Sequence, residues 1–87
     1  MAETIRVTLK LYATLAQFLP AAARSNAVEL DIAAEETLPD IVGRFGVPPP
    51  SCFLVLVNGV FLPPGERATA RFATGDVVAI WPPVAGG

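Results

Sequence analysis

Hydrophobic and polar positions alternate along residues 4–12. Ile5, Val7, Leu9 and Leu11 fall on one side, and Arg6, Thr8, Lys10 and Tyr12 on the other, which predicts a strand with one buried face. Over residues 14–19 the spacing changes. Leu15, Phe18 and Leu19 recur at helical intervals, so a short helix is expected, stopped by Pro20. A small-residue loop follows over residues 20–25. Val28, Leu30 and Ile32 then alternate with Glu29 and Asp31 as a second strand.

The clearest helix starts after Thr37. Thr37 and Asp40 have capping-box spacing, Leu38, Ile41, Val42 and Phe45 form one apolar stripe, and Gly46 stands where a C-terminal cap belongs. Pro39 falls in the first turn, whose amides need no intrahelical partner. Pro48-Pro49-Pro50 predicts an extended connection. The run from Phe53 to Val57 is continuously apolar, so that strand is either covered on both faces or sticky on one. Asn58-Gly59 is a strong hairpin signal, with Val60–Leu62 returning as a short strand. Gly75-Asp76 predicts a turn, and Val77 to Trp81 the last strand. Pro82 and Pro83 stop it by removing donors and fixing φ. The order is strand, short helix, strand, helix, strand, hairpin strand, final strand. In so small a chain it implies an α+β fold of the β-grasp (ubiquitin-like) type, a mixed sheet of about five strands on one main helix. The expected division is a domain over residues 1–81 and a flexible tail over residues 82–87.

Composition narrows the function. The chain has 87 residues, 53% hydrophobic and 16% charged, with a net charge of −2. That describes one folded domain with little room for a catalytic cleft. The absence of a basic cluster argues against nucleic acid as the main partner. There is no histidine and one cysteine, which removes Ser-His-Asp and Cys-His catalysis and Cys/His zinc sites from this chain. A single cysteine fits a reducing cytoplasm, and no apolar run is long enough for a membrane span.

The ending Trp81-Pro82-Pro83-Val84-Ala85-Gly86-Gly87 carries the most specific information. Glycines have no side chain to bury and lose the most backbone entropy on ordering. What such an end offers is a slim, bendable strip with a carboxylate at its tip, able to enter a narrow active site. The simpler interpretation of two terminal glycines is a frayed end. The segment from Gly75 to Gly87 resembles the C-terminal signature of the small subunit of molybdopterin synthase and its sulfur-carrier relatives. Lys10–Leu15 is similar to the end of that family's first strand and the start of its first helix, and Val57-Asn58-Gly59 to its central hairpin. The Pro-Pro-Val-Ala-Gly-Gly form leans toward the molybdopterin branch over the thiamine branch. Pro48-Pro49-Pro50 and the alanines at 21–23 depart from the family pattern.

The resemblance implies a carrier, not an enzyme acting alone. An E1-like adenylating enzyme would use ATP to activate the Gly87 carboxylate, and a sulfurtransferase or other sulfur donor would displace AMP to leave a thiocarboxylate. The tail, Pro82, Pro83, Val84, Ala85 and Gly86, would then enter the large molybdopterin synthase subunit. The chain would bind no metal and no cofactor of its own. Two other classes share the same tail: carriers for thiamine, cysteine or tRNA thiolation, and protein modifiers that form isopeptide bonds through Gly87.

Several residues have plainer explanations. Cys52 begins an apolar strand, where a thiol is most often inert packing. Lys10 is the chain's only lysine. It could pair with a partner or accept a conjugate, although strand-face lysines are usually just solvated. Glu35-Glu36 would complement a helix dipole, and Asp76 would serve its turn. Tyr12, Phe61 and Trp81 stand apart. If the first and last strands are neighbours, Tyr12 and Trp81 lie opposite the core-facing Leu9, Leu11, Val78 and Ile80. With Phe61 they would form an exposed aromatic patch beside the tail, the kind of surface that marks a partner interface.

Overall fold

The structure, a computed structural model, describes residues 3–83. Five strands form a single mixed sheet: β1 (Thr4–Leu11), β2 (Ala27–Ala33), β3 (Leu54–Val57), β4 (Val60–Phe61) and β5 (Val77–Trp81), in the order β2-β1-β5-β3-β4. β1 and β5 run parallel, and the other neighbours are antiparallel. The alternation of β1 is kept strictly: Ile5, Val7, Leu9 and Leu11 are all buried. They meet Ile32, Val55, Val78 and Ile80 from the other strands, and Leu38, Ile41 and Val42 from helix α1 (Leu38–Arg44). This is the β-grasp arrangement. Among the described residues no helix is long and apolar enough to cross a membrane.

Local chemistry fixes the ends of each element. The Asp40 carboxylate accepts both the Thr37 N–H at 2.9 Å and the Thr37 hydroxyl at 3.0 Å. Those two bonds hold the Asp40 carboxyl below its ordinary range. Gly46 adopts φ +77° after the helix, the left-handed conformation that a glycine tolerates. Asn58 and Gly59 take φ +53° and +82°, so the hairpin turn has positive φ at both central positions. Asn58 also ties this turn to the start of β5. Its side-chain oxygen accepts from Val77 N–H at 2.9 Å, and its amide donates to Asp76 Oδ1 at 2.9 Å. Asp76 Oδ2 closes its own turn by accepting from Ala73 N–H at 2.8 Å.

One local expectation is corrected and two are made more specific. The segment after β1 is a 3-10 helix (Ala13–Phe18), closed by bonds from Leu15 N–H to Tyr12 O and from Leu19 N–H to Ala16 O. Its bonds reach back three residues, the pattern of short 3-10 pieces, and of its six residues Leu15 alone is buried. Pro48-Pro49-Pro50 is not extended throughout. Pro49–Ser51 forms a 3-10 turn, because prolines in a first turn lack only donors that have no partner there. Glu36, next to the N-cap of α1, has specific partners as well. It forms an ion pair with Arg44 and accepts the Ala33 N–H at 2.7 Å, pinning the end of β2 to the last turn of α1.

Candidate functional site: the outer sheet face at the base of the tail

Because side chains alternate across a strand, the residues between the core positions share the opposite face of the sheet. In β5 these are Val77, Ala79 and Trp81. The register sets Trp81 opposite Leu54, Ala79 opposite Leu56, and Leu56 opposite Phe61. Tyr12 follows β1 at the same end as Trp81. The two rings stack with centroids 4.5 Å apart and planes 6° from parallel, a geometry that adds to the area each ring covers. Tyr12, Trp81 and Phe61 therefore all lie on the outer face. Phe61, 51% exposed, stands one strand beyond Leu54 and Leu56 and does not pair with Trp81 in the register.

The base of the tail is held from both sides. Tyr12 N–H donates to Ile80 O at 3.1 Å, and Phe53 N–H donates to Trp81 O at 3.0 Å. Phe53 is itself anchored by Arg67, whose guanidinium donates to the carbonyls of Cys52, Phe53 and Leu62. A groove of about 520 Å³ runs past this point, lined among others by Thr14, Phe53, Leu54, Trp81, Pro82 and Pro83. Pro82 is half-buried and Pro83 exposed. Val84, Ala85, Gly86 and Gly87 lie outside the described residues.

Arg67 is the residue that gives this region its shape, and the sequence offered no signal for it. Arg67→Ala is expected to destabilise the fold by about 2 kcal/mol, the scale of losing hydrogen bonds from a charged donor and stranding part-buried carbonyls. Arg67→Lys should recover only part of that, because an ammonium cannot reproduce the guanidinium fork. Urea denaturation of both variants measures the difference, and equal stability of Arg67→Ala and wild type would deny the clamp.

Phe53, Leu54 and Leu56 were not singled out from the sequence as surface residues. The signal was present in the unbroken apolar run, but its parity follows only from pairing with β5. Cys52 is buried, and burial pushes its thiol up from its ordinary range while the Arg67 charge pulls the other way. It packs beneath a separate hollow of about 260 Å³ bordered by Leu38, Val42, Pro64 and Arg67. Among the described residues no group of His, Cys, Asp or Glu side chains gathers in a way that could hold a metal ion.

Solved structures of similar shape cover nearly the whole chain. The HVO 2177 protein of Haloferax volcanii superposes with a TM-score of 0.72 at 19% identity, over 97% of this chain and 88% of that one. The small archaeal modifier protein SAMP1 of the same organism gives 0.64 at 28% identity, over 94% and 99%. A candidate molybdopterin converting factor subunit 1 from Pyrococcus furiosus gives 0.64 at 19%, over 92% and 99%. No curated protein sequence matches the chain. With residues 4–85 matched by the model of the Mut7-C ubiquitin family, the chain belongs to that ubiquitin-like family.

Proposed function

We propose that the chain is a sulfur carrier whose working group is the Gly87 carboxylate, and that the outer sheet face is where its partner enzymes grip it. The observation that carries this reading is the position of the Tyr12–Trp81 stack. An exposed apolar face ends where the Pro-Pro-Val-Ala-Gly-Gly strip begins, so a partner gripping the face receives the strip in a defined direction.

The chemistry follows from the poor reactivity of a carboxylate. Its charge repels nucleophiles, so it is first activated. An E1-like adenylating enzyme joins the Gly87 carboxylate to the α-phosphate of ATP, and pyrophosphate leaves. Sulfide delivered by a sulfurtransferase then displaces AMP, and the carboxylate becomes a thiocarboxylate. Tethered in this way, sulfur is a nucleophile at high local concentration. The form of the tail supports delivery to a molybdopterin precursor through a large synthase subunit. The partners contribute the catalytic groups, and this chain contributes the strip and the gripping face.

A second reading has its own support. The SAMP1 likeness, at 28% identity, favours a modifier that joins Gly87 to a lysine of another protein. The intact mass of the chain, purified from cells that make its own partners, separates the two. A carrier is expected to show replacement of one oxygen by sulfur at Gly87. A modifier shows covalent conjugates of higher mass and no sulfur-bearing form. Finding only the unmodified carboxylate would remove the carrier reading.

A further inference from the structure

Asn58-Gly59 shapes the hairpin, and it is also a reactive pair. An asparagine side-chain amide can be attacked by the backbone nitrogen of the next residue, and glycine gives that nitrogen the least steric cover. Here the nitrogen is free. Asn58 and Gly59 are exposed, a methyl group placed on Gly59 would meet nothing within 4 Å, and among the described residues nothing accepts from the Gly59 N–H. The carbon it would attack is held elsewhere. Both polar side-chain atoms of Asn58 are tied to the turn before β5, Nδ2 to Asp76 Oδ1 at 2.9 Å and Oδ1 to the Val77 N–H at 2.9 Å. The Asn58 N–H also donates to Val77 O at 2.8 Å. The chain's other asparagine is placed differently. Asn26 is followed by Ala27, whose methyl crowds the approach and whose N–H is already given to Arg24 O at 2.9 Å.

We propose that Asn58 is a deamidation site, guarded in the folded chain by Asp76 and Val77. When the side chain slips from that turn, the Gly59 nitrogen loses its proton to hydroxide and bonds to Asn58 Cγ. The Cγ–Nδ2 bond breaks, ammonia leaves, and a cyclic imide remains. Water opens the imide at either carbonyl to give aspartate or isoaspartate, with nothing oxidised or reduced. The product undoes the link that protected it. A carboxylate at position 58 has no proton to donate to Asp76, and two like charges then stand together, in a chain whose net charge is already −2. Isoaspartate also lengthens the backbone at the turn that sets the β3–β4 register. Since β4 carries Phe61, the modification loosens one edge of the outer face. This reactivity goes beyond the carrier role and does not depend on it.

The test incubates the full chain at mildly alkaline pH, folded and in urea, and follows Asn58 by peptide mass spectrometry as the mass gain of an amide-to-acid exchange. Folded wild type is expected to deamidate about tenfold or more slower than the chain in urea, since reaction in the fold needs local opening. Asp76→Ser keeps one oxygen for the Ala73 N–H and leaves Asn58 Nδ2 without its acceptor. It should speed the folded chain by about tenfold, the weight of one hydrogen bond to a charged group, and melt near wild type. If that variant does not fold, Asp76→Asn takes its place, because its single side-chain oxygen cannot serve both donors. Asn58→Asp, which makes the product directly, should melt below wild type. Equal rates for folded and urea-unfolded wild type overturn the guard, as does a folded Asp76 variant no faster than wild type. An Asn58 that stays unmodified in urea, or an Asn26 that reacts as fast, overturns the site. Asn58→Asp melting with wild type overturns the consequence for the fold. The carrier reading is judged separately, at Gly87.

Discussion

Deletion of Gly87 is expected to abolish adenylation and sulfuration while leaving the melting temperature nearly unchanged. Stability and chemistry reside in different parts of the chain. The buried cluster draws on residues from Ile5 to Ile80, so the domain's stability is assembled before the tail begins. The proposed chemistry resides wholly at the last carboxylate. Shortening the strip by one residue moves that carboxylate back by about 3.5 Å, more than a reaction requiring near contact tolerates. Gly86→Val probes the same strip differently. It keeps the length but adds a β-branched side chain that widens and stiffens it. The variant should fold normally and fail in activation or transfer. Pyrophosphate exchange and intact mass measure the two steps, with thermal unfolding as the control. Normal transfer by Gly86→Val would mean that the passage in the partner is wide and that glycine serves flexibility alone.

Trp81→Ala is expected to weaken binding to the large synthase subunit by roughly thirtyfold, the equivalent of ~2 kcal/mol for removing an aromatic anchor at an interface. Trp81 lies at the centre of the site. Its ring stacks on Tyr12, its backbone pairs with Leu54, and the tail begins at the next residue. The variant should still fold, because the ring is on the outer face and the loss within the domain is mainly one stacking contact, about 1 kcal/mol. Calorimetric titration against the large subunit gives the affinity, and unfolding of the isolated variant gives the cost to the fold. Normal affinity in a folded Trp81→Ala would remove this face as the docking surface. The Tyr12→Ala variant should weaken binding less, since it removes the support of the anchor and not the anchor itself.

Arg67 shows how far a structural role can lie from motif. It reaches three carbonyls brought together by the turn after β4 and the entry to β3. That role is a relation between segments distant along the chain, and a single side chain read in sequence carries no trace of it.

The features legible in the chain alone were periodic or local. The alternation of β1 fixed its buried face, because strand side chains leave the backbone on opposite sides. Thr37, Asp40 and Gly46 fixed the limits of α1, and Asn58-Gly59 fixed the hairpin, because each acts within a few residues of itself. The tail was legible for the same reason. Features that depend on pairing became visible only in the folded sheet. The continuous apolar run of β3 has no period of its own, so only its register with β5 turns Val55 to the core and Leu54 and Leu56 outward. The same register sets Leu54 beside Trp81, and the parallel pairing of β1 with β5 brings Tyr12 onto Trp81. The 3-10 bonding at Ala13–Phe18 and Pro49–Ser51 also appears only in the folded chain, because apolar spacing and proline content do not choose between three- and four-residue hydrogen bonding.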